Sequence, residues 1–136
     1  MTTRTLRLIT LLCGGGIAVA GCKSAEGPVA GELEVRLTTP NTDDRAILLR
    51  VGGKQTAIAA PSGSNYRVLT APLAGDTVRV VVIAPVGSHV TAGALLRLTV
   101  PDTRQADSYV ARALDVASSA YAQRALTGYT LTVVKP

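Results

Sequence analysis

The sequence predicts an all-β fold, a single antiparallel β-sandwich of about eight short strands. Three observations carry that prediction. Apolar and polar residues alternate with period two through most of the chain, which places successive side chains on opposite faces of a half-buried strand. Clusters of Gly, Pro, Asn and Asp interrupt the alternation at short intervals, as turns do. The apolar positions are filled by Val, Leu, Ile and Ala, with no Phe and no Trp among 136 residues.

Taken in order, Glu32 to Thr38 sets Leu33, Val35 and Leu37 against Glu32, Glu34 and Arg36, a half-buried first strand. Arg45 to Val51 directs Ile47, Leu49 and Val51 inward and Arg50 outward, and Gly52-Gly53 supplies the turn that follows. Gln55 to Ala60 is a weak strand stopped by Pro61, and "NYRVLT" puts Tyr66 and Val68 on one face. "DTVRVVVIAP" is the strongest strand, dense in β-branched residues with Arg79 on one side, and is expected in the middle of a sheet. Ala94 to Val100 alternates Leu96, Leu98 and Val100 with Arg97 and Thr99. Ser108 to Val116 alternates too, and "YTLTVV" closes the chain with Tyr129, Leu131 and Val133. "ASSAYAQRAL", residues 117–126, lacks alternation and is rich in helix formers, so a short helix is expected there.

The chain opens differently. "MTTRTLR" carries Arg4 and Arg7 without an acid, and an apolar stretch from Leu8 to Ala20 follows, the basic and hydrophobic regions of a secretory signal. A membrane span needs about 20 apolar residues, more than this run offers before Lys23, Ser24 and Glu26. Val19-Ala20-Gly21-Cys22 resembles the lipobox of bacterial lipoproteins. The resemblance implies cleavage between Gly21 and Cys22 and a thioether-linked diacylglycerol on Cys22. The expected organisation is a signal peptide over 1–21, a lipidated tether over 22–31 and a sandwich over 32–136. The resemblance implies that Cys13 leaves with the signal and that Cys22 is acylated, so no disulfide, thiol catalysis or cysteine metal site is expected in the mature domain. With Lys23 where an Asp would favour inner-membrane retention of an enterobacterial lipoprotein, the resemblance implies a cell-envelope location in the outer membrane if the organism has one.

With Arg4 and Arg7 removed, Lys and Arg fall from 14 to 12 against 9 acids, a net charge near +3. These residues are scattered singly along the chain. The scatter predicts ordinary solvated surface rather than a patch for acidic surfaces or lipid headgroups, and no nucleic-acid footprint. Four tyrosines are the only aromatic platforms; Tyr66 and Tyr129, at strand starts, are expected at the core edge with hydrogen-bonded hydroxyls rather than stacking on sugars.

Candidate chemistry is sparse. Asn41, Asp43 and Asp44 in "TPNTDDR" are the one cluster of hard oxygens, a calcium candidate lacking the central glycine and terminal Glu of an EF-hand loop. A Pro-Asn turn with aspartates bonding nearby backbone is the expectation there. His89, the single histidine, stands in a loop and cannot build a histidine zinc site. Paired with Asp43 or Asp44 it is the alternative: a small envelope hydrolase or carbohydrate-binding accessory module. The later strands, with Gly93, Leu95, Leu98 and Val100, faintly resemble cohesin-type bacterial sandwich modules, which implies a protein-binding sheet and carries over no binding residues. The expectation is a non-enzymatic lipoprotein with no cofactor besides its acyl lipid, held at the membrane and binding or scaffolding an envelope protein or glycan.

Overall fold

The computed structural model describes residues 26–136; the expected signal segment, its expected cleavage site at Gly21 and Cys22, and the first part of the expected tether lie outside the described residues. Eight strands form two four-stranded antiparallel sheets. They are β1 (Gly31–Thr38), β2 (Asp44–Gly52), β3 (Ala57–Ala59), β4 (Arg67–Pro72), β5 (Thr77–Ile83), β6 (Gly93–Val100), β7 (Val110–Ser118) and β8 (Thr130–Val134). One sheet has the order β3-β6-β1-β8 and the other β4-β5-β2-β7. Each strand overlaps a segment read as strand, with β1, β2, β4, β6 and β7 running past those segments by one or two residues, and β5 is an interior strand as its β-branched run predicts.

The core lies between the sheets. Leu33, Val35 and Leu37 of β1 meet Ile47, Leu49 and Val51 of β2 and Val80 and Val82 of β5, all buried. Fully burying a side chain of this size contributes about 1.5–3 kcal/mol each. Among the described residues, every member of this core lies between Leu33 and Val133.

Three register shifts were hidden in the alternation, one of them at Arg45, between Asp44 paired with Ser118 and Ala46 paired with Ala117. Val35 pairs with Leu96 but Arg36 pairs with Ala94, so Leu95 is an extra residue in β6. Such a bulge turns two successive side chains toward the same face, and both Leu95 and Leu96 are fully buried. In β7, Leu48 pairs with Asp115 and Leu49 with Ala113, leaving Leu114 as the extra residue.

The helix expected over 117–126 is corrected. β7 runs on to Ser118, the chain turns through Ser119-Ala120-Tyr121, and Ala117 bridges Gln123 as the chain doubles back. Ser118 explains the failure: its backbone N–H donates to the Ala122 carbonyl (2.9 Å) and its Oγ accepts from the Ala122 N–H (3.2 Å). Serine competes with a helix through such local bonds. Tyr121 takes a left-handed φ of 61°, which no helix continues. The helical turn that does exist, a 3-10 segment at Thr103–Ser108, joins β6 to β7.

The connections sort to two ends. The tether, the start of β7 and the β2–β3 turn meet at one end, which we call proximal. The β1–β2, β5–β6 and β7–β8 loops gather at the other, distal end. At the proximal end Asp102 caps the 3-10 segment, accepting from the Arg104 and Val29 N–H groups, while the Thr103 N–H donates to the Val29 carbonyl (2.8 Å). The Arg104 guanidinium grips Asp102 through Nε and Nη2 at 2.9 Å each and holds that carboxyl well below the usual carboxylate range. It also donates from Nη1 to the Glu26 carbonyl at 3.0 Å.

Candidate functional site

All the oxygen-bearing candidates from the sequence fall at the distal end, where the structure draws Asn41, Asp43 and Asp44 into a polar latch between the β1–β2 and β7–β8 loops. Asp44 opens β2 and is only 1% exposed. A carboxylate so buried needs donors around it. It has them: Tyr129 donates its hydroxyl to Asp44 (2.8 Å to Oδ1, 2.9 Å to Oδ2), Thr39 donates from Oγ1 to Oδ2 (2.8 Å), and Arg124 Nε lies 2.9 Å from Oδ1. That last contact is a charge pairing rather than an aligned hydrogen bond.

Around this centre a second ring closes. Asn41 Nδ2 donates to the Tyr129 hydroxyl at 2.7 Å, and the Asn41 N–H donates to Thr39 Oγ1 at 3.1 Å. Arg124 Nη2 pairs with Asp43 Oδ1, and Asp43 also accepts from the Ser119 hydroxyl and backbone N–H. Burial pushes the Tyr129 hydroxyl above the ordinary phenol range; Thr39 and Asn41 counter this in part and the Asp44 carboxylate adds to it.

The carboxylate oxygens proposed for calcium thus face Tyr129, Thr39, Ser119 and Arg124. Among the described residues no three His, Cys, Asp or Glu side chains gather. His89 is exposed, and its ring makes no hydrogen bond among the described residues. Its neighbour Val90 bonds through its N–H to the Asp44 carbonyl (2.8 Å), so the histidine is close to Asp44 along the backbone while the carboxylate itself is buried. Tyr129 meets its expectation as a core-edge tyrosine with a bonded hydroxyl. Arg124, Thr39 and Ser119 escaped the sequence reading. The available signal was the Asp43-Asp44 pair directly ahead of an apolar strand, because an acid at a strand start that turns inward requires a cation.

Large apolar side chains also stand exposed on the loops of this end. Tyr121 and Val86 stand 78% and 91% exposed on the β7–β8 and β5–β6 loops, with Leu126 exposed nearby in sequence. The left-handed backbone of Tyr121 is unusual for a bulky residue and is held by its N–H bond to the Ser118 carbonyl (2.9 Å). Exposed apolar side chains on loops fixed by a rigid scaffold are the usual raw material of a recognition surface.

Comparison with protein-family models, with curated proteins and with solved structures finds no match for this chain, so the resemblance to cohesin-type modules rests on its residues alone.

Proposed function

We propose that this chain is a bacterial lipoprotein of the cell envelope: a non-enzymatic β-sandwich, anchored through an acylated Cys22, that binds or scaffolds an envelope protein or glycan with its distal loops. The polarity of the fold is the observation that carries this reading. Residues 26–31 leave from the proximal end, bonded to Asp102, Thr103 and Arg104, while the latched β7–β8 loop bearing Tyr121 and the β5–β6 loop bearing Val86 occupy the opposite end. A tether at one end and an exposed, braced surface at the other suit a domain that is held down and presents its far side. The latch supports the non-enzymatic part, since Asp43 and Asp44 brace the loops instead of facing His89.

The test is the intact mass of the protein purified from its native membrane, beside a Cys22→Ser variant. A mass starting at residue 22 with an added diacylglycerol, lost together with membrane association in the variant, is the expected result. An unlipidated soluble chain refutes the tether.

A further inference from the structure

The two outward faces of the sandwich treat charge differently. On the β3-β6-β1-β8 sheet, Arg36 pairs with Glu34 at 2.8 Å and Arg97 with Glu32 at 3.3 Å. On the β4-β5-β2-β7 sheet, the register sets Arg79 of β5 directly opposite Arg50 of β2, and Arg50 directly opposite Arg112 of β7. Three arginines from three adjacent strands form one row, about 10 Å across at about 4.8 Å per strand. All three are exposed, and among the described residues none makes an ion pair or a side-chain hydrogen bond. Like charges directly opposite in a sheet are destabilising, so folding does not account for the row.

Its surroundings specify what it suits. The neighbouring row toward the distal end is aliphatic, with Leu69, Val81 and Leu48 in register and Leu114 bulged beside them. Asp115, opposite Leu48, is the sole acid among the outward positions of this sheet. Between β2 and β7 a shallow hollow of about 360 Å³ is lined by Arg50, Arg112, Gly52, Val110 and Leu114. Two guanidiniums above an aliphatic floor match a phosphodiester attached to an apolar body, since guanidinium planes grip phosphate in a bidentate manner.

The tether brings such a phosphate within reach. With residues 26–31 held against the 3-10 segment, the free chain between Cys22 and Glu26 spans at most about 14 Å. The arginine row lies one row in from that same proximal end, where Gly52 pairs with Thr77 and Val110, and Val110 is itself more than half exposed.

We propose that the proximal part of this face, Arg50, Arg79 and Arg112 with Val110 and Leu114, docks on the phosphate headgroups of an anionic phospholipid bilayer. The orientation rests on the lipid-tether reading, whereas the affinity of the face for the bilayer does not.

The test is flotation of residues 23–136, which include every core residue among those described, with vesicles of equal parts phosphatidylcholine and phosphatidylglycerol and with vesicles of phosphatidylcholine alone. Binding to the anionic vesicles that weakens with salt is expected. Each arginine near an anionic surface contributes about a fivefold factor, so the Arg50→Gln/Arg79→Gln/Arg112→Gln variant should lose about a hundredfold. The Arg36→Gln/Arg97→Gln variant, altered on the other face, should stay within about threefold of the parent. A thermal midpoint at or above the parent's shows that the triple variant folds. Equal binding to both vesicles, an unaffected triple variant, or an equal loss per arginine in the control overturns the proposal. Soluble glycerophosphate binding at the hollow without vesicle binding makes it a free-phosphate site, and polyglutamate binding as strongly as vesicles makes it an acidic-protein site; either result also overturns it. Because the tested chain lacks Cys22, these outcomes are independent of whether the native protein is acylated.

Discussion

Replacing Tyr129 with Phe removes one oxygen from the centre of the distal latch and leaves the ring in place, so no cavity complicates the reading. The lost hydroxyl donates to the buried Asp44 carboxylate at 2.8 and 2.9 Å and accepts from Asn41 at 2.7 Å. A hydrogen bond to a charged acceptor contributes about 1.5–3 kcal/mol. Asp44 keeps Thr39 and Arg124, and Asn41 is partly exposed and can turn to water, so the net destabilisation should be about 2–3 kcal/mol. With an unfolding entropy of about 2.1 cal/mol/K per residue over roughly 110 residues, that lowers the melting midpoint by about 10 °C. Urea and thermal unfolding of residues 23–136 measure it. A double-mutant cycle with Asp44→Asn should give a coupling of about 1 kcal/mol or more, because the two groups share the bond. The same hydroxyl has a pH signature. Its folded-state pKa is raised, so its contribution is complete below the unfolded value near 10 and is lost as pH rises through the folded value. The Phe variant should lose the Tyr129 share of that alkaline limb and keep the share of Tyr109, whose hydroxyl pKa is also raised by burial. A loss under about 0.5 kcal/mol, or additive single mutants, would refute the view that Tyr129 secures a buried charge.

The acid limb should belong in part to Asp102. Its folded pKa is lowered, chiefly by the hydrogen bonds from Arg104, so its contribution is present above the unfolded value of about 3.9 and lost as pH falls below it. Asp102→Asn should flatten the fall in urea midpoint on that side and speed amide exchange at Val29, whose N–H loses a charged acceptor. Gly53 takes a φ of +120°, and a Cβ there would lie 2.5 Å from Cδ1 of the Tyr109 ring, which is anchored by its hydroxyl to the Lys54 carbonyl. Gly53→Ala should therefore cost about 3 kcal/mol in chemical denaturation, against about 1 kcal/mol for Gly63→Ala, where φ is also positive but the space is open.

Strand existence was legible because burial on one face writes a period of two into β1, β2 and β6, and the tyrosine at the start of β8 was legible as a core-edge residue. Features that depend on pairing were not. Leu95 reads as an outward residue until the bulge opposite Val35 and Arg36 turns it inward. Residues 117–126 look helical by propensity, yet Ser118 bonds its own turn and Arg124 is drawn to Asp43 and Asp44 across the loops, a tertiary pull that local composition does not record. The arginine row makes the same point on the surface. Arg50, Arg79 and Arg112 are isolated in the sequence and read as ordinary solvated charges; only the register of β2 with β5 and β7 sets them side by side.

The placement of the first and last strands also governs when this chain can fold. β1 is sandwiched between β6 and β8, with Gly31 paired to Val100 and Thr38 to Thr130. Partners so distant along the sequence demand large loop closures before any pairing is rewarded, which slows folding. A chain emerging from its N-terminal end carries β1 without a neighbour until β6 has appeared, and that sheet stays incomplete until β8 is free. The pairings of β2 with β5 and of β5 with β4 need nothing beyond residue 83, so the two sheets of the sandwich close at different stages of synthesis.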